Sequence, residues 1–197
     1  METIKLGEIC KVISRGYNYA RNEVCKEKFD YYSVPQISYS NVDEDGRFAE
    51  SEETVLIRKE TADKYWVKKN DIILPPTTKN FPRAKGIANY LPENEDLKQQ
   101  LIYSQSVVFL RVEPNAPITN IKLMNILNTK DIQESLLKEV YSKGEVKSIS
   151  LEKLRKFEIP LTLTDRQKAT LSKYIEVSEK FYQAKRRFEE EFWNEDF

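Results

Sequence analysis

The chain has 197 residues, 40% of them apolar and 32% charged, and its 32 basic side chains are balanced by 32 acidic ones. That is room for one ordinary domain with an appendage, able to bury a core without disulfide staples, and too little for a multi-domain motor or polymerase. The absence of histidine removes imidazole acid–base chemistry, His-containing triads and most catalytic zinc sites, and the five glycines argue against a propeller or a phosphate-cradling loop protein.

The apolar pattern predicts a strand running into a short helix over Ile4–Ile13, ended by Gly16. Val34–Val42 alternates as a strand does, and Asp43-Glu44-Asp45-Gly46 is an acidic turn. Thr54–Ile57 reads as a strand, Ala62–Trp66 as a short helix or turn, and Asp71–Leu74 as a short strand that Pro75-Pro76 must end. Gly86–Tyr90 and Ser106–Val112 are further strands, the second with Val107, Val108, Phe109, Leu110 and Val112 as candidate core. The period then changes. Ile121–Leu127 and Ile132–Tyr141 read as helices, with Gly144 breaking the second, and Leu151–Phe157 as a short helix leading into a strand at Phe157–Leu161. Strands followed by helices predict an α+β domain with a mixed sheet over residues 1–163.

Composition shifts near residue 164. All eight prolines and all five glycines precede it, and the last 33 residues contain neither. Residues 164–197 read as one long helix opened by a Thr164/Gln167 capping box. Leu171, Tyr174, Ser178, Phe181, Lys185, Phe188 and Phe192 recur at 3–4 spacing, widened by Ile175, Val177, Tyr182 and Trp193. So wide an apolar stripe needs a partner surface, on its own domain or, the preferred reading, on another helix. Polar Ser178 and Lys185 within it set register more than they add stability.

No P-loop, dinucleotide fingerprint or G-x-S-x-G elbow occurs. Leu74-Pro75-Pro76-Thr77 superficially suggests an amino-methyltransferase loop but lacks the Asp or Asn that grips the amine. Asp43/Asp45 and Glu52/Glu53 are better explained as solvated turns than as a metal site, and no cofactor or metal is expected. Cys10 and Cys25 fit no metal spacing; they are able to pair in principle but read as reduced thiols in a cytoplasm. Met1–Gly7 is not a signal peptide, and no apolar window is long enough to span a membrane.

Charge is unevenly placed. Residues 11–28 carry a net +3 and residues 64–85 a net +5, while acids gather at 43–53. Asn18, Asn22, Thr77, Thr78 and Asn80 add hydrogen-bonding groups, interleaved with Tyr17, Tyr19 and Phe81. Two such segments on one face make a nucleic-acid surface, and scattered they are ordinary solvated loops.

A series of short motifs then comes in a fixed order: Leu6-Gly7-Glu8-Ile9, Ser14-Arg15-Gly16, Val34-Pro35-Gln36-Ile37 with Asn41-Val42, and Asp71-Ile72-Ile73-Leu74. Gln105 precedes a strand ending near Pro114, and Gly144, Ile149-Ser150, Leu154, Phe157, Ile159-Pro160-Leu161 and Gln167 follow. In order and spacing the whole chain resembles the DNA specificity subunit of type I restriction–modification systems: one target-recognition domain and the conserved helix after it. The resemblance implies a non-catalytic protein that reads double-stranded DNA and holds methyltransferase (modification) subunits, which translocating restriction subunits join. Members carry two recognition domains and two antiparallel helices that space the halves of a split target. This chain has one of each and departs from that pattern, as a natural half subunit or a truncated one. A half restores the whole by homodimerising through residues 165–193 as an antiparallel coiled coil, which requires a palindromic split target.

The candidate DNA contacts are Arg15, Asn18 and Arg21 in the first basic segment and Lys79, Asn80, Arg83 and Lys85 in the second. The candidate dimer and partner interface is Leu171, Tyr174, Ile175, Phe181, Phe188 and Phe192. Ile159-Pro160 holds the chain extended before the helix and so sets its exit direction, or is simple loop punctuation. Two alternatives remain open: a protein-only scaffold or decoy that captures the modification subunit, and a stand-alone methyltransferase, for which the sequence carries no cofactor motif.

Overall fold

The computed structural model describes residues 2–18, 30–41, 54–68, 71–78, 89–90, 101–162 and 168–169. The chain divides into two units, Met1–Leu161 and Thr162–Phe197. In the second, the backbone at 168–169 is helical. The helix expected over 164–197 otherwise lies outside the described residues. So do Arg21, Lys79, Asn80, Arg83 and Lys85 and all six interface candidates from Leu171 to Phe192.

The first unit opens with β1 (Thr3–Lys5), the single-turn α1 (Leu6–Ile9) and β2 (Cys10–Arg15). Next come β3 (Tyr31–Ile37) with a turn of 3-10 helix at Tyr39–Asn41, β4 (Thr54–Arg58), α2 (Lys59–Tyr65), β5 (Ile72–Leu74) and β6 (Asn89–Tyr90). It closes with β7 (Ile102–Tyr103), β8 (Val108–Val112), α3 (Asn120–Leu127), α4 (Lys130–Glu139), α5 (Leu151–Lys156) and β9 (Glu158–Pro160). Among the described residues these strands form a four-stranded sheet in the order β2-β8-β5-β6, a three-stranded sheet β4-β3-β7 and the pair β1-β9. β3 runs antiparallel to β4 and parallel to β7, so that sheet is mixed, and the class is α+β.

Burial explains the order. Ile72, Ile73 and Leu74 are all fully buried, as a continuous apolar run must be when both faces of its strand are covered. Beside them Tyr103 and Phe109 stack with ring centroids 4.7 Å apart, in a cluster with Tyr39, Ile73 and Val107. A second cluster, Tyr17, Val34, Val55, Ile57, Ala62 and Ile102, fixes α2 against β3 and β4. Helix starts follow local chemistry: the Thr119 hydroxyl accepts from the Lys122 N–H at the head of α3, and Ser150 does the same for Lys153 at α5.

Several boundaries differ from the sequence reading. β3 stops at Ile37 instead of reaching Val42, because buried Tyr39 turns inward and its N–H donates to the Ser106 hydroxyl. β8 begins at Val108, not Ser106, because the Val107 N–H closes a turn onto the Ser104 carbonyl. α4 ends at Glu139 without reaching Tyr141, which is drawn into a bridge with Ile149. Gly144 therefore does not break that helix; it takes φ +130° in the turn beyond, a conformation L side chains rarely adopt. β7 was not anticipated.

Candidate nucleic-acid interface

The two basic segments leave the four-stranded sheet at one end. β8 is the centre, with β2 and β5 antiparallel to it on either side. Arg15 at the end of β2 and Leu74 at the end of β5 both lie opposite Val108, the first residue of β8. The chain beyond Arg15 and the chain beyond Leu74 thus depart as neighbours, separated by one strand. Their roots are built differently. Gly16 donates its N–H to Val107 and Tyr17 to Tyr103, so the first root folds over the start of β8. A Cβ at Gly16 would collide with the carbonyl oxygens of Tyr103 and Ser104, so only glycine allows this approach. The second root, Pro75-Pro76-Thr77-Thr78, is half-buried to buried and cannot supply a full ladder because each proline lacks a donor.

A turn around Gly144 joins the two roots. Residues 141–149 form a small hairpin closed by the Tyr141–Ile149 bridge, with the Ser142 N–H donating to the Ser148 carbonyl and the Ser148 N–H to the Ser142 hydroxyl. Its second arm lies against the Pro75–Thr78 root. The Ile149 N–H donates to Pro76 O, the Thr78 N–H to Lys147 O, and the Lys147 N–H to the Thr78 hydroxyl. The Tyr141 hydroxyl donates to Pro75 O at 2.7 Å. On the other side, Arg15 Nη2 donates to Ile149 O at 3.1 Å. Ile149 thus accepts from one root and donates to the other. The signal was present in the sequence: apolar Tyr141 and Ile149 flank a Ser-Lys-Gly-Glu turn.

Of the candidate contacts, Arg15 and Asn18 are described, both half-buried at the first root. Arg15 has one guanidinium nitrogen engaged inside the chain. Tyr141 is buried near Arg15 and Tyr39; burial pushes its hydroxyl above the usual phenol range, Tyr39 adds to this, and Arg15 opposes it. Further along β2 a groove of about 420 Å³ is lined on its charged side by Lys11, Lys64 and Arg155. Among the described residues no cluster of three or more Cys, Asp or Glu is placed to hold a metal ion, and no helix is long and apolar enough to cross a membrane. What the described residues show is that the roots of the two basic segments leave one end of the same sheet, on either side of β8.

Residues 1–180 match the family described as the type I restriction modification DNA specificity domain. The chain belongs to this family. The role of a type I specificity domain is DNA recognition without catalysis, as the sequence resemblance implied. The chain is also similar to the crystal structure of the HsdS subunit from Thermoanaerobacter tengcongensis, at 17% identity and a TM-score of 0.55, over 96% of this chain and 45% of that one. It resembles the type I restriction-modification system S subunit from M. genitalium at 14% identity and a TM-score of 0.50, covering 92% and 40%. A third similar chain comes from a structure of complex assembly and conformational transition in the type I R-M system, at 15% identity, TM-score 0.53, covering 96% and 41%. These likenesses establish the fold. This specificity domain spans less than half the length of the solved chains it matches. No curated protein matches it.

Proposed function

We propose that this chain is the DNA-reading half of a type I restriction–modification specificity subunit. It takes one half of a split target in double-stranded DNA through the segments beyond Arg15 and Leu74. In this reading Arg15, Asn18, Arg21, Lys79, Asn80, Arg83 and Lys85 supply phosphate and base-edge contacts. Residues 164–197 form a long helix that packs antiparallel on that of a second copy through Leu171, Tyr174, Ile175, Phe181, Phe188 and Phe192. The dimer docks modification subunits in the cytoplasm, and restriction subunits join them there. The supporting observation is that Arg15 and Leu74 share Val108 as their neighbour, which brings the roots of both basic segments to one sheet end.

The experiment pairs the full chain with its modification subunit, measures the mass of the assembly, and selects duplexes from a randomised pool. A dimer that enriches a palindromic split sequence, with affinity falling steeply as salt rises, is the expected result. A complex that forms with no duplex enrichment at low salt replaces this reading with a protein-only scaffold.

A further inference from the structure

The geometry points to the 142–148 turn as a sequence-blind phosphate clamp, in which Lys143 and Lys147 seat the duplex while the two basic segments read it. The inference rests on the DNA-recognition reading above and adds a third element to it, with a separate task.

Position is the first observation. Through Ile149 the hairpin contacts both roots at once, the Arg15 side by its carbonyl and the Pro76 side by its N–H. Arg15 and Pro76–Thr78 are the described roots of the two segments, and both are held by this one turn, so a duplex taken at those roots meets it.

Rigidity is the second. Lys147 has both backbone groups paired with Thr78, Ser142 and Ser148 close the turn, and the Tyr141 hydroxyl ties its base to Pro75. A cation on so fixed a backbone gives up little main-chain entropy on binding.

Free charge is the third. Lys143 is exposed and Lys147 half-buried, and neither ammonium makes a hydrogen bond, ion pair or ring contact among the described residues. Glu145 stands between them, exposed and equally unbridged. Lys156 is engaged with Glu152 at 2.7 Å and Lys122 with the Leu161 carbonyl at 2.8 Å, while the ammonium groups of Lys11, Lys138 and Lys153 are as unengaged among the described residues as that of Lys143. What sets the turn's lysines apart is the turn's contact with both roots. Lysine is a point charge on a flexible stem, suited to a phosphate and ill suited to the bidentate grip that distinguishes a base. Contacts of that kind position a duplex and carry no sequence information.

The test uses the full chain with its modification subunit. It measures binding to a labelled duplex carrying the selected target and to a scrambled duplex of the same length, over a salt series. The Lys143→Gln/Lys147→Gln variant is compared with the unaltered chain, and thermal melting of both verifies folding. The expected result is equal loss of affinity on the two duplexes, an unchanged preference ratio, and a log K against log salt slope shallower by about 2. Lys79→Gln/Arg83→Gln, in the second segment, is expected to change the ratio itself. If the unaltered complex binds and the turn variant keeps its affinity and slope, the clamp is overturned and the DNA reading stands. A turn variant that shifts the preference ratio also overturns it, because the turn then reads sequence. If the unaltered complex binds neither duplex, the DNA reading falls and takes the clamp with it.

Discussion

The guanidinium of Arg111 grips the carboxylate of Asp71 in a two-pronged pair, Nε to Oδ1 at 2.7 Å and Nη2 to Oδ2 at 2.8 Å. Asp71 is fully buried and also accepts from the Lys68 N–H and the Tyr103 hydroxyl, while Arg111 Nη2 reaches the Trp66 carbonyl and the guanidinium lies 5.2 Å from the Phe109 ring. The pair therefore ties the start of β5 to β8 and to the end of α2.

Asp71→Ala leaves the Arg111 guanidinium, only 14% exposed, without its carboxylate. Asp71→Ala is expected to cost about 3–5 kcal/mol of stability. Replacing both, as Asp71→Leu with Arg111→Met, is expected to cost less than the single change. Urea midpoints of the three variants check this, and a double variant as unstable as Asp71→Ala contradicts it.

Gly16→Ala drives a methyl group into the Tyr103 and Ser104 carbonyls, which belong to backbone and cannot swing aside. Overpacking of this kind costs about 1–3 kcal/mol. The first root must also lift from β8, so duplex affinity is expected to fall by more than the stability loss alone explains. The check is Kd measured well below the melting temperature of the variant.

Alkali is expected to loosen this fold. Burial, helped by Glu113, pushes the Cys10 thiol from its ordinary 9.0 up to about 12. Burial likewise raises Tyr39, Tyr103 and Tyr141 above the phenol value of 10.0. Tyr103 is raised further by the Asp71 charge and hydrogen bond. All four groups are neutral when protonated, so the folded chain holds their protons more tightly than the unfolded chain. Their contribution is complete below pH 9 and drains away as pH climbs from there through the folded values. Urea midpoints at pH 7.5, 9 and 10.5 should fall in that order; a flat series contradicts the assignment.

Local chemistry made most elements legible. The proline pair ends β5 where expected, the period change at Ile121–Leu127 locates α3, and the Ser106–Val112 run contains β8. What stayed hidden depends on partners far along the chain. Ile102-Tyr103 is too short to show a period, and it becomes a strand because β3 lies beside it. Tyr39 looked like a strand residue until Ser106, 67 positions away, captured its N–H. Basic segments 11–28 and 64–85 are visible as charge, but that their roots leave one sheet end depends on both β2 and β5 choosing β8, a pairing no local pattern encodes. At 141–149 a glycine after an apolar helical run fits a helix end as well as a hairpin tip, and only the pairing of Tyr141 with Ile149 distinguishes them.

β1 and β9 pair antiparallel, Thr3 opposite Pro160 and Lys5 opposite Glu158. The first unit is therefore zipped shut at its own doorway, with its incoming and outgoing strands side by side. A unit of that shape is a cassette. Ends held together in this way are what let a domain be inserted into a longer chain without rerouting the flanking segments.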